Sequence, residues 1–171
     1  QLANALRKPV LVLCYNRTLA ARLAAMMAER GLSERVHVRT FHAWCQQMLR
    51  SYHLPMAGDD DWDVKTRKWL DTLIAGVDKG HVPRGQYGAL MIDEGHDFEP
   101  DWYRLVVQMV DPDTNSLLVL YDDAQSIYAK ASRRKFTWKS VGIDAVGHTT
   151  ILRLNYRNTL EVLSVARGFA Q

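Results

Sequence analysis

The sequence predicts an α/β domain built on a mainly parallel β-sheet. Short, continuously apolar, β-rich runs stop abruptly on polar residues, as strands buried on both faces do. Segments with helical spacing alternate with those runs. No internal repeat, heptad pattern or low-complexity tract competes with that alternation.

The elements follow in order. "PVLVLCYN" (9–16) reads as a buried strand. "RTLAARLAAMMAERG" spaces Leu19, Leu23, Met26 and Met27 as one helix face, with Gly31 at the position of a C-cap glycine. "RVHVRTF" alternates Val36 and Val38 as a second strand and hands over to the amphipathic "HAWCQQMLRSYH". Pro55 and Gly58 mark a loop. "DVKTRKWLDTLIAGV" is a helix with Trp69, Leu70, Leu73 and Ile74 as its apolar stripe, and "HVPRGQYG" ends it. The least regular stretch, 51–86, reads as a small insertion. The strand "ALMI" then meets an acidic cluster, and "PDWYRLVVQMV" is a helix with Pro100 in its first turn. After the turn "DPDTN", "SLLVLYDDAQSIY" is a strand that ends on Asp122 and Asp123. "TTILRLNYRN" is a last strand, leading into the helix "TLEVLSVARGFA".

Composition sets bounds on function without naming it. With 171 residues and 47% hydrophobic content, the chain can bury a substantial core. A net charge of +3 fits binders of nucleic acid or nucleotide and many proteins that bind neither. Cys14 and Cys45 both lie in apolar segments, which suits buried, reduced thiols and a cytoplasmic setting. No apolar run reaches membrane-spanning length. The chain opens without Met on "QLANALRK", which reads as the end of a helix and leads us to expect a piece of a longer protein.

In a parallel sheet, ligands bind at the carboxyl ends of the strands. That edge would gather Tyr15 and Asn16, residues 40–42, residues 93–97, residues 122–125 and residues 155–157. "MIDE" closes a strand on Asp93 and Glu94. In a nucleotide-hydrolysing site the first acid holds Mg²⁺ and the second polarises the attacking water. A solvated loop or a helix cap explains an acid pair as readily. Gln125 has the chemistry to position water and Tyr128 a ring on which a base can stack, although a turn and a core Tyr account for them too. Arg157 follows a strand, where an arginine can meet a phosphate charge or pair with a neighbouring acid. Thr40, Phe41 and His42 stand at a strand-to-helix junction suited to gripping phosphate. A zinc site on His42 and Cys45 lacks a second ligand pair. The tryptophans, Trp44, Trp62, Trp69, Trp102 and Trp138, are read as mostly core by default.

Taken in order, these pieces resemble the UvrD/Rep-like superfamily 1 DNA helicases. "VLVLCYNRTLA" is similar to their motif Ia and "VRTFHAW" to the TFH motif that follows it. "LMIDEGHDF" is similar to motif II, the Walker B box, "LVLYDDAQSIY" to motif III and "LRLNYRNT" to motif IV. The resemblance implies a three-layer RecA-like P-loop NTPase sheet, truncated at the N-terminal strand that carries the P-loop. The whole chain, 1–171, would be a partial helicase ATP-binding domain covering motifs Ia to IV. ATP and Mg²⁺ would be its cofactors. Asp93 would coordinate the Mg²⁺, and Glu94 would activate water. Gln125 would couple the γ-phosphate to DNA, and Arg157 would contact that phosphate. Tyr15, Asn16, Thr40, Phe41 and His42 would lie along the path of single-stranded DNA, with Tyr128 stacking a base.

The sequence departs from the family pattern in three places. G-x-x-x-x-G-K-[ST] occurs nowhere in it, so the P-loop is expected upstream of Gln1, and this piece alone is expected to bind ATP weakly or not at all. The second RecA-like domain is expected beyond Gln171. His96 stands where the family has Gln, and Tyr121 where it has Gly. The parent is therefore expected to couple ATP hydrolysis to movement on single-stranded DNA. Two rivals remain: a degenerate helicase-like module that binds nucleic acid or protein without catalysis, and a metal-dependent nuclease or phosphatase built on Asp93, Glu94, Asp122 and Asp123.

Overall fold

The structure is a computed structural model that describes residues 6–58, 61–121 and 137–150. Four parallel strands form one sheet in the order β2-β1-β3-β4: β1 (Val10–Cys14), β2 (Val36–Thr40), β3 (Ala89–Ile92) and β4 (Leu117–Val119). Residues 151–171, which hold most of the expected last strand and its helix, fall outside the described residues.

Helices connect the strands. α1 (Arg17–Glu29) joins β1 to β2, and α2 (Phe41–Ser51) and α3 (Trp62–Asp78) lie between β2 and β3. α4 (Pro100–Val107) joins β3 to β4. The expected glycine cap is present: Gly31 takes φ +66°, and the N–H groups of Gly31 and Leu32 donate to Ala28 and Met27. α4 stops earlier than its apolar pattern, because Val110 leaves the helix to bridge Tyr87 alongside the sheet.

Because successive strand residues face opposite ways, β1 serves two cores, one on each face of the sheet. Leu11, Leu13, Leu90 and Ile92 enter the larger one with Trp44 and Leu49 of α2, Trp69, Leu70 and Leu73 of α3, and Tyr103 and Leu105 of α4. Cys14 and Val38, with the partly buried Val12 and Val36, face α1 on the other side through Ala20, Leu19 and Leu23. The sheet thus carries helices on both faces, which explains why β1 reads as continuously apolar. The segment 51–86 is anchored by α3, whose Trp69, Leu70, Leu73 and Val77 sit in the larger core.

At the opposite end of the sheet, Lys8 Nζ lies 2.7 Å from Asp111 Oδ2 and donates to the Gly85 carbonyl at 2.7 Å. This pins the start of β1 to the connection after α4. Among the described residues no helix is long and apolar enough to cross a membrane.

Candidate functional site

All four strands run the same way, so their carboxyl ends share one edge. The register places Cys14 beside Thr40, and the Asp93 N–H donates to Leu13 at 2.9 Å, continuing the β1–β3 ladder past Ile92. Tyr15, Asn16, Thr40, Phe41, His42, Asp93 and Glu94 are thereby brought to one edge, each at the end of a neighbouring strand. Gln125, Tyr128 and Arg157, like Asp122 and Asp123, lie outside the described residues.

The acidic end of β3 has a distinct local geometry. Asp93 is half-buried and still in the ladder. Glu94 then turns into the left-handed region, φ 53° and ψ 46°, a conformation that a non-glycine residue holds only when its surroundings impose it. Those surroundings are visible. A 3₁₀ turn (Gly95–Asp97) follows at once, the Gly95 N–H donates to Leu120 at 2.8 Å, and the Tyr103 hydroxyl donates to the Gly95 carbonyl at 2.6 Å. A Cβ on Gly95 would stand 2.5 Å from that hydroxyl and 2.8 Å from Val119 Cγ1, so only glycine fits. Burial pushes the Tyr103 phenol up, which keeps it a hydrogen-bond donor.

His96 is tucked under this turn with 6% of its side chain exposed. Its Nε2 lies 3.4 Å from Glu94 Oε2 and 3.8 Å from Asp97 Oδ2. Glu94 keeps 43% of its side chain exposed, so its carboxylate faces solvent while one oxygen is engaged. Next to the acids, Cys14 is fully buried. Burial, with a smaller contribution from the Asp93 charge, pushes its thiol up to about 11.

The β1 and β2 ends show what the polar residues do locally. Asn16 Oδ1 accepts from Thr18 and Leu19 at 2.7 and 3.3 Å, and Thr40 Oγ1 accepts from Ala43 at 3.4 Å. Each is the N-cap of the helix that follows, which accounts for the residue type without a ligand. Phe41 is 2% exposed and stacks on Trp102 with ring centroids 4.1 Å apart, so it supports the edge from inside the core. His42 meets Trp102 edge-on at 4.9 Å and Trp62 at 5.7 Å. Burial lowers its pKa first and the Arg17 charge second, against the Asp63 charge, so the imidazole is kept neutral. Tyr15 is exposed.

Cys45 is buried and its thiol is pushed up by desolvation, which removes it as a ready metal ligand beside His42. Among the described residues no group of three or more His, Cys, Asp or Glu side chains is placed to hold a metal ion. Magnesium needs no such cage, since it keeps several waters and takes one or two carboxylates plus phosphate oxygens. The hard oxygens of Asp93 at a strand end fit that donor set.

Two features of the edge escaped the sequence reading. Trp62, read as core, is 48% exposed, and the acidic "DDDWD" around it was the available signal. The His96–Glu94 contact joins residues two apart in a turn and had no spacing rule to announce it. No protein-family model matches the chain, and no curated protein matches it either.

Proposed function

We propose that this chain is the greater part of the first RecA-like domain of a UvrD/Rep-like superfamily 1 motor. Such a motor couples ATP hydrolysis to movement along single-stranded DNA. One observation carries the reading: Asp93 and Glu94 end a central parallel strand, and Glu94 is held in a left-handed conformation that turns it out of the ladder. Local backbone strain of this kind gathers at functional sites.

In this reading Asp93 would hold a Mg²⁺ that keeps most of its waters, and the ion would supply charge neutralisation for a triphosphate. Glu94 accepts a proton on its carboxylate from the attacking water, with His96 fixing the orientation of that carboxylate. Gln125 and Arg157 take the roles that the resemblance gives them, near the γ-phosphate. Tyr15 and His42 line the path of the DNA, Asn16 and Thr40 hold the helix starts behind it, and Phe41 buttresses it.

A second reading is a non-catalytic module of the same fold that binds nucleic acid or protein. One observation favours it: a Glu94 carboxylate oxygen already lies 3.4 Å from His96 Nε2. The deciding experiment measures ATP hydrolysis by the protein together with its flanking segments, with and without single-stranded DNA, beside Glu94→Gln. DNA-stimulated turnover that falls about 10²- to 10⁴-fold in the variant, the range of a positioned base, supports the motor. DNA binding without turnover supports the module.

A further inference from the structure

We propose that Trp62 is a base-stacking platform for single-stranded nucleic acid, an assignment that rests on the nucleic-acid part of the reading above. Trp62 is the first residue of α3, capped by Asp61, and lies off the buried stripe of Trp69, Leu70, Leu73 and Val77. It keeps 48% of its surface in water, whereas Trp44, Trp69 and Trp102 are buried and Trp138 is half-buried. So large a half-exposed ring offers apolar area on which a base can stack.

The ring is held in place. It meets His42 at 5.7 Å and 67° and Trp69 at 6.1 Å and 77°, both edge-on. His42 is itself seated edge-on against Trp102 at 4.9 Å. An aromatic surface fixed from behind loses little conformational freedom when a base stacks on it, which is what a sequence-tolerant binder needs.

Its position ties it to the edge already described. His42 follows β2, and Tyr15, a second exposed ring, follows the neighbouring β1. Charge then orients the ligand. Arg17, exposed at the start of α1, acts on His42 electrostatically from one element, and Asp63 acts on it from α3 with opposite sign. Asp61 and Asp63 disfavour a phosphate beside Trp62, while Arg17 attracts one toward the end of β1. A nucleotide therefore places its base on Trp62 and its phosphate toward Arg17.

The test uses a fluorescein-labelled oligothymidylate and the 171-residue chain, read by anisotropy and by tryptophan emission. Binding should quench the emission, and Trp62→Phe should abolish most of that quench while retaining much of the affinity. Trp62→Ala should weaken binding roughly 5- to 150-fold, the loss of one stacked base. Unchanged thermal melting of Trp62→Phe guards against a folding artefact. Binding that neither quenches emission nor weakens in Trp62→Ala overturns the assignment and leaves the nucleic-acid reading standing. No binding by the wild-type chain overturns both.

Discussion

His96 Nε2 lies 3.4 Å from Glu94 Oε2, inside a turn that also brings Asp97 Oδ2 to 3.8 Å. A nearly buried imidazole thus meets an acid whose backbone is left-handed. That contact restricts where the carboxylate can swing. If Glu94 activates water, His96→Ala should lower turnover about 10- to 100-fold, as loss of an orienting partner does, with little change in KM for ATP. His96→Gln restores a donor and should retain most activity. Equal losses in both variants would mean that His96 serves packing alone.

How much of this edge was legible beforehand depends on which force sets each feature. The parallel sheet was legible, since strands such as β1 are buried on both faces and carry apolar residues at almost every position. The capping of α1 by Asn16 and of α2 by Thr40 was legible in residue type, although the same types suit a phosphate contact. The left-handed Glu94 was not legible. Its neighbour Gly95 is held by Tyr103 of the next helix and by Leu120 past β4, contacts that no local pattern announces. Trp62 failed for a related reason: composition places tryptophan in cores, and only the end of a helix decides otherwise.

Gly95 should tolerate no side chain. An added Cβ meets the Tyr103 hydroxyl and Val119 Cγ1, which the sheet and α4 hold in place. Gly95→Ala should destabilise the fold by about 1–3 kcal/mol, the usual cost of overpacking. Tyr103→Phe, which removes only the bond to the Gly95 carbonyl, should cost about 1 kcal/mol. At roughly 2–4 °C per kcal/mol for a domain of this size, thermal melting separates the two. A Gly95→Ala protein that melts with the wild type would refute the tight turn.

The two cysteines should behave as inert thiols. Cys14 is pushed up to about 11, and Cys45 is raised by complete burial, so neither supplies much thiolate near neutral pH. An aromatic disulfide reagent at pH 8 should react slowly with the native chain and with both thiols after urea denaturation. Rapid reaction of a native thiol would show that the edge at Cys14 opens to solvent.

The pH dependence of stability should carry the signature of His42. Burial and the Arg17 charge lower its pKa in the folded chain below the usual 6.5 of histidine. The unfolded chain therefore takes up a proton at His42 at a pH where the folded chain does not. Stability from this site is fully present above pH 6.5 and is lost as pH falls below it, toward the folded value. Asp111 adds a loss of the same sign, because its hydrogen bond from Lys8 lowers its pKa, but that loss belongs to the carboxylate range below about pH 4. Melting temperatures between pH 7.5 and 5 should therefore decline more in the wild type than in His42→Gln. Parallel curves for the two proteins would mean that His42 is as well solvated in the folded chain as in the unfolded one, and that the aromatic seat formed by Phe41, Trp62 and Trp102 is open.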